Sequence, residues 1–308
     1  MRPRRPEFLA STADLLSVAE SIFEEWQEVG AVGHLLARNI DTGEELGFDV
    51  DTPVPLASVA KVPLALVVLD QIASGTLDPA TPVTIDPATK SVGPTGLAAF
   101  RHPVTAAVGD LVHPTLTVSD NASADALFDL VGVDQVDERL REWGCAGIRI
   151  RHRMQRMYDC AAGVAGNDFG LALELAIRDD VAGQHSIETL NPAYANVGSA
   201  TALVELLQRI WLDRISRPEA TAELRRVMGF QVFYQRLSSD LRSDSVRVSG
   251  KTGSFLYLRH EIGVVTADSG DRVAIAVLTR SHRRASTAHD IDLAIGAAAR
   301  SAFESLRA

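Results

Sequence analysis

The sequence predicts an α+β fold: a five-stranded antiparallel sheet built from both termini and flanked by helices, with an all-helical subdomain inserted between its halves. Two alternating apolar stretches near the start, about 32–40 and 44–50, are joined through Asp41-Thr42-Gly43 and read as a hairpin. Three more strand-like runs, 245–251, 259–267 and 271–280, close the chain, the last two joined by Asp268-Ser269-Gly270. Between them the period changes from two to 3.6, which places helices in the middle of the chain. Such an order assigns residues 1–60 with 231–308 to a sheet lobe and 61–230 to a helical lobe.

In order, Ser11-Thr12-Ala13-Asp14 is a capping signal, and Leu15, Val18, Ile22 and Trp26 mark the apolar face of a helix reaching about residue 28. After the hairpin, Leu56-Ala57-Ser58-Val59-Ala60-Lys61 opens a buried helix whose apolar run, Val62 to Leu69, stops at Ser74-Gly75. Helices follow over 105–113, 122–131, 134–143, 168–178, 199–213 and 218–230, and a last amphipathic helix spans about 286–305.

A chain of 308 residues with a formal charge of −10 buries a substantial core and lacks the basic face that nucleic acid or an anionic membrane requires. No apolar run approaches the ~20 residues of a membrane span. The start, Met1-Arg2-Pro3-Arg4-Arg5-Pro6-Glu7, superficially suggests a twin-arginine export signal, but an acidic, amphipathic stretch follows, so a cytoplasmic location is expected. Cys145 and Cys160 are then expected as reduced thiols.

Ser58 and Lys61 stand three apart, so on a helix their side chains share one face. A serine hydroxyl needs a base to become a nucleophile, and a desolvated lysine can be one. Arginine cannot, yet this chain has 27 arginines and only Lys61, Lys90 and Lys251 as lysines. Two further motifs stand downstream: Ser119-Asp120-Asn121 ahead of a helix, and Lys251-Thr252-Gly253-Ser254 at a strand end. By chance, Ser-x-x-Lys is expected roughly 0.2 times, Ser-Asp-Asn about 0.03 times and Lys-Thr-Gly about 0.01 times, so their joint occurrence in this order is informative.

The ordered set resembles the class A β-lactamases and penicillin-binding proteins, the penicillin-recognising serine hydrolases. The resemblance runs from about residue 15 onward, is loose in the middle, and implies a β-lactamase-like fold. It implies that Ser58 attacks a β-lactam or ester carbonyl, Lys61 takes its proton, and Ser119, polarised by Lys251, relays a proton to the leaving nitrogen. Asn121 would bind the substrate amide, Thr252, Gly253 and Ser254 would line the substrate, and the Ser58 and Ser254 N–H groups would form the oxyanion hole. Arg259, eight residues after Lys251, is either a second carboxylate anchor or a surface arginine. No cofactor and no metal is implied; the partner is a small-molecule substrate, on a monomer or homodimer.

Two departures qualify the resemblance. The family's deacylating glutamate, four residues before an asparagine, has no counterpart in Arg151-His152-Arg153-Met154-Gln155-Arg156-Met157. An enlarged loop over about 150–199 is expected instead, with Glu188, three before Asn191, as the nearest candidate base and otherwise a loop carboxylate. Export is the family norm, and its absence leaves esterase-like or clavam-pathway relatives, or a penicillin-binding sensor that acylates and stalls, as alternatives to a hydrolase. Gly250-Lys251-Thr252 does not make a phosphate loop, because Ser245 stands where its first glycine belongs. Neither metal-ligand spacing nor a G-x-S-x-G elbow occurs.

Overall fold

The computed structural model describes residues 6–281 and 288–307. Strand β1 (Phe8–Ala10) and helix α1 (Ala13–Glu28) lead into a hairpin of β2 (Ala31–Asn39) and β3 (Glu45–Phe48). The Thr12 hydroxyl caps α1 by accepting the Leu15 N–H, and Gly43 turns the hairpin at a φ of 80°. A short β4 (Val54–Pro55) and a 3₁₀ turn (Ala57–Ala60) precede helix α2 (Lys61–Ala73). The helical part continues through β5 (Pro82–Ile85), β6 (Val104–Ala107), α3 (Val108–Thr117), α4 (Asn121–Val131) and α5 (Val133–Glu142). Then come α6 (Gln155–Ala165), α7 (Phe169–Ala182), β7 (Val197–Gly198), α8 (Ala200–Trp211) and α9 (Pro218–Met228). Strands β8 (Val246–Phe255), β9 (Leu258–Ala267) and β10 (Arg272–Ser281), and helix α10 (His289–Leu306), complete the fold.

The main sheet runs β1-β3-β2-β10-β9-β8, antiparallel throughout. Alternation along its strands divides the apolar side chains between two cores. Leu35, Ile275 and Val277 face α1 and α10, whereas Leu36, Ile262, Val264 and Ala276 face α2 and α8. Helix α2 is buried from Lys61 to Asp70, which explains its nearly continuous apolar sequence.

The sheet has six strands where five were expected. The sixth, β1, pairs Phe8–Ala10 with Phe48–Leu46, and three residues are too few to display alternation. The inserted part is not all helical either, since β4 pairs with β7 and β5 with β6. The segment 150–199 is no extended loop: it folds into α6, α7 and a 3₁₀ turn, Glu188–Leu190. Helix α3 starts later than expected and continues through Pro114, because Thr115, Leu116 and Thr117 are buried and packing outweighs the missing N–H. The N-terminal residues 1–5 that prompted the export question, and the expected start of the last helix at 286–287, lie outside the described residues. Among the described residues no single helix is long and apolar enough to cross a membrane. Cys145 and Cys160 are not bonded to one another.

Candidate active site

Ser58 sits in the 3₁₀ turn that runs directly into α2, whose first residue is Lys61, so the two are held one turn apart across the junction. Ala57, just before it, takes a left-handed conformation (φ 47°), an uncommon state for a residue with a Cβ. The turn is pinned from outside. The Leu56 N–H donates to the Asn196 carbonyl at 2.8 Å, and His260 Nε2 donates to the Pro55 carbonyl at 2.9 Å. Burial pushes the His260 imidazole down to about 4, so it is neutral and serves as a fixed donor.

Strand β8 comes unusually close to this turn. A Cβ on Gly253 would stand 2.8 Å from the Leu56 carbonyl and 2.9 Å from Val59, so only glycine fits. Gly253, expected to line the substrate, first admits the nucleophile's own turn.

The Ser119-Asp120-Asn121 segment enters from α4. Asp120 caps that helix and is fully buried, its carboxylate accepting N–H bonds from Leu97, Ala98, Ala122 and Ser123 at 3.0–3.3 Å and the Ser123 hydroxyl. Ser119 is left-handed (φ 57°). Its position lets both buried lysines reach it: Lys61 Nζ lies 3.2 Å and Lys251 Nζ 2.9 Å from Ser119 Oγ. Lys61 also donates to the Ser119 carbonyl at 2.6 Å and Asn121 Oδ1 at 2.7 Å, and Lys251 to the Thr252 carbonyl at 2.8 Å. Neither lysine has solvent access. Burial brings the Lys61 ammonium down to about 7, opposed by the charges of Asp120 and Asp125. Burial, and then repulsion from Lys61, also drive Lys251 well below the ordinary lysine range.

Ser58, Ser119, Asn121, Thr252 and Ser254 line one cavity of ≈ 210 Å³. Tyr158, Phe233, Gln235, Pro94 and Thr95 complete its wall, and none of these ten residues is a carboxylate. Glu188 does not line it: its side chain is half exposed and pairs with Arg156 at 2.7 Å. Arg259 does not line it either. Although opposite Ser254 in the β8–β9 ladder, its buried guanidinium is 3.4 Å from Asp292 of α10.

Two residues placed at this site escaped the sequence reading. Tyr158, on α6, lines the cavity with Asn121 and meets Phe255 edge-on at 5.6 Å; burial raises its phenol above the usual range, keeping it protonated. Arg236 is 1% exposed and donates to Ser254 Oγ at 2.7 Å, the His260 carbonyl at 2.6 Å and Asp292 at 2.8 Å. Neither lies at a motif spacing. The only available signal was an arginine and a tyrosine in segments otherwise read as connections.

The family model described as the Beta-lactamase enzyme family matches residues 17–306. The beta-lactamase regulatory protein BlaB of Streptomyces cacaoi is 38% identical over 279 residues, covering 86% of this chain and 89% of that protein. Among solved structures, a beta-lactamase from Sphaerobacter thermophilus has a TM-score of 0.76 at 20% identity, over 94% of this chain and 96% of that one. The structure of PBP-A gives 0.73 at 18%, over 94% and 95%. At those identities the solved structures establish the fold. The family match goes further: it runs nearly end to end and takes in every motif that meets at the cavity, so this chain is a member of the beta-lactamase enzyme family.

Proposed function

We propose that the protein takes a β-lactam carbonyl onto Ser58 as an acyl-enzyme and releases it slowly. The observation carrying this reading is a cavity lined by Ser58 and Ser119, with no carboxylate in its wall and with two buried lysines converging on Ser119 behind it. With Lys61 near neutrality, its uncharged form accepts the Ser58 proton as Oγ attacks the carbonyl carbon. The Ser58 and Ser254 N–H groups receive the developing oxyanion. As the ring C–N bond breaks, the Ser119 hydroxyl gives its proton to the leaving nitrogen and recovers one from the lysine pair. The product is an ester at Ser58. Asn121 holds the acyl amide, while Thr252 and Ser254, the latter bonded to Arg236, face the substrate carboxylate.

Hydrolysis of that ester needs an activated water, and the cavity offers Tyr158, a protonated phenol, where a base would be useful. A long-lived adduct is therefore the second half of the proposal. A sensing role in place of catabolism is favoured by one finding: the 38%-identical relative is named a regulatory protein.

Mass spectrometry after mixing with a chromogenic cephalosporin tests both halves. A single adduct on the intact chain is expected, absent from Ser58→Ala, decaying slowly behind a stoichiometric burst. An equal adduct on Ser58→Ala would refute the nucleophile. Fast steady turnover without a burst would refute the slow release.

A further inference from the structure

Of the three lysines, Lys61 and Lys251 meet at Ser119, and Lys90 stands apart, in the connection between β5 and β6. Its Nζ donates to three backbone carbonyls, Leu97 at 3.1 Å, Phe100 at 2.6 Å and Ala98. These belong to a 3₁₀ turn, Gly96–Ala99, and to the residue that ends it. Three acceptors around one nitrogen suit an ammonium, whose three N–H groups are tetrahedral; a guanidinium spreads its donors in a plane. That explains a lysine here in a chain that otherwise uses arginine.

The same turn is held from its other side. The Leu97 and Ala98 N–H groups each donate to the Asp120 carboxylate at 3.0 Å. The peptide unit joining Leu97 to Ala98 therefore points its N–H at an anion and its C=O at a cation, so both ends of its dipole are favourably met.

Between Lys90 and this turn, residues 91–95 cross the cavity, and Pro94 and Thr95 form part of its wall. The Val92 carbonyl accepts from Asn121 Nδ2 at 2.8 Å, which leaves Asn121 Oδ1 to Lys61 Nζ at 2.7 Å. A Cβ on Gly93 would lie 3.1 Å from Asn121 Nδ2 and 3.1 Å from Ala98 Cβ, so the segment is pressed against both the asparagine and the turn. Ser91 and Val92 fasten one end to Asp125 and Gln155. The other end runs into the turn, which Lys90 ties back to the start of the segment.

We infer that Lys90 is a positioning residue that closes the 91–95 segment over the cavity and so fixes the Asn121 amide, its oxygen on Lys61 and its NH₂ on the Val92 carbonyl. The inference deepens the proposed acylation and rests on it for one point, that Asn121 holds the acyl amide of the substrate.

Lys90→Met keeps an unbranched side chain and removes the three donors. Acylation is followed by stopped flow and mass spectrometry with two probes, benzylpenicillin and penicillanic acid, which lacks the acylamino side chain. The variant should acylate about 10-fold more slowly than wild type with benzylpenicillin and stay within about threefold of it with penicillanic acid. Equal slowing with both would make Lys90 a merely structural residue and overturn the inference. A second readout needs no substrate. Labelling with ¹⁵N-asparagine shows five side-chain amides, and Asn121→Asp identifies that of Asn121. Its exchange with water should rise about 10-fold or more in Lys90→Met, and unchanged exchange overturns the inference. If that variant does not fold, Lys90→Arg replaces it: the charge stays, but the planar fork cannot converge on three carbonyls. Exchange should then rise about threefold, and exchange equal to wild type overturns the inference. A wild-type protein that acylates with neither probe would refute the proposed function, and the amide exchange would still decide the role of Lys90.

Discussion

Removing the Asp120 carboxylate should damage the fold more than any other single change in the three motifs. Five donors converge on it: four backbone N–H groups and the Ser123 hydroxyl. Two of the N–H groups belong to the Leu97–Ala98 turn, which wraps so tightly that a Cβ on Gly96 would stand 2.6 Å from Asp120 Cβ. Asp120→Ala strands those donors in a site without water access and removes the cap of α4. A cap alone is worth about 1 kcal/mol, and hydrogen bonds to a buried charge about 1.5–3 kcal/mol each, though not additively. The expected loss is about 3–5 kcal/mol, read from urea unfolding midpoints at constant slope. Asp120→Asn, which keeps one acceptor oxygen, should lose roughly half as much. The same substitution withdraws a negative charge from Lys61, so the rise of acylation with pH should move to lower pH. A loss below about 1 kcal/mol in Asp120→Ala would show that the carboxylate is not the organising acceptor of this corner.

Three other outcomes follow from the geometry. Lys61→Arg should slow acylation by ~10²–10⁴-fold, because arginine cannot become a neutral base, while Lys251→Arg costs less; equal small losses in stopped-flow assays would displace Lys61 from that role. Acylation should climb as pH rises through about 7, where Lys61 loses its proton. Stability should climb too between roughly pH 7.5 and 9.5, since there the unfolded chain binds a proton that folded Lys61 does not; in Lys61→Met this slope should be smaller. Glu188→Gln should leave burst and release rates unchanged and cost under about 1 kcal/mol, as its partnership with Arg156 is half exposed. A large fall in the release rate alone would restore Glu188 as the deacylation base.

What the sequence disclosed, and what it withheld, divides along the range of the interactions. Ser58 and Lys61, or Asp120 and its helix, are local relations, and spacing alone reveals them. The β2–β3 and β9–β10 hairpins were equally legible from alternation and from Gly43 and Gly270. Helix α6 was missed because its start has no side-chain cap of its own: the Met154 and Gln155 N–H groups are held by Asp125, about 30 residues upstream. Glu188 was considered for its spacing to Asn191, but Asn191 turns its side-chain oxygen to the Ala193 N–H instead. Arg236, which no expectation named, stands by Ser254 in place of Arg259 for a similar reason. The register put Arg259 beside Ser254, but Asp292 on α10 draws its side chain, and Arg236 reaches Ser254 from a loop no pattern marked.

The pairing of β2 with β10 has a consequence for how the chain comes to be folded. Ala31 lies against Ser281, so strands made first must wait for almost the whole chain before their neighbour arrives. Until then β2 presents a row of unpaired N–H and C=O groups along an apolar strand, an open edge on a ribosome-bound intermediate. Contacts this distant make for slow folding after release, and for a nascent chain that benefits from shielding of the β2 edge. The same order of events means that Ser58 and Lys61 are translated long before Lys251, so no partly made chain brings the three motifs together.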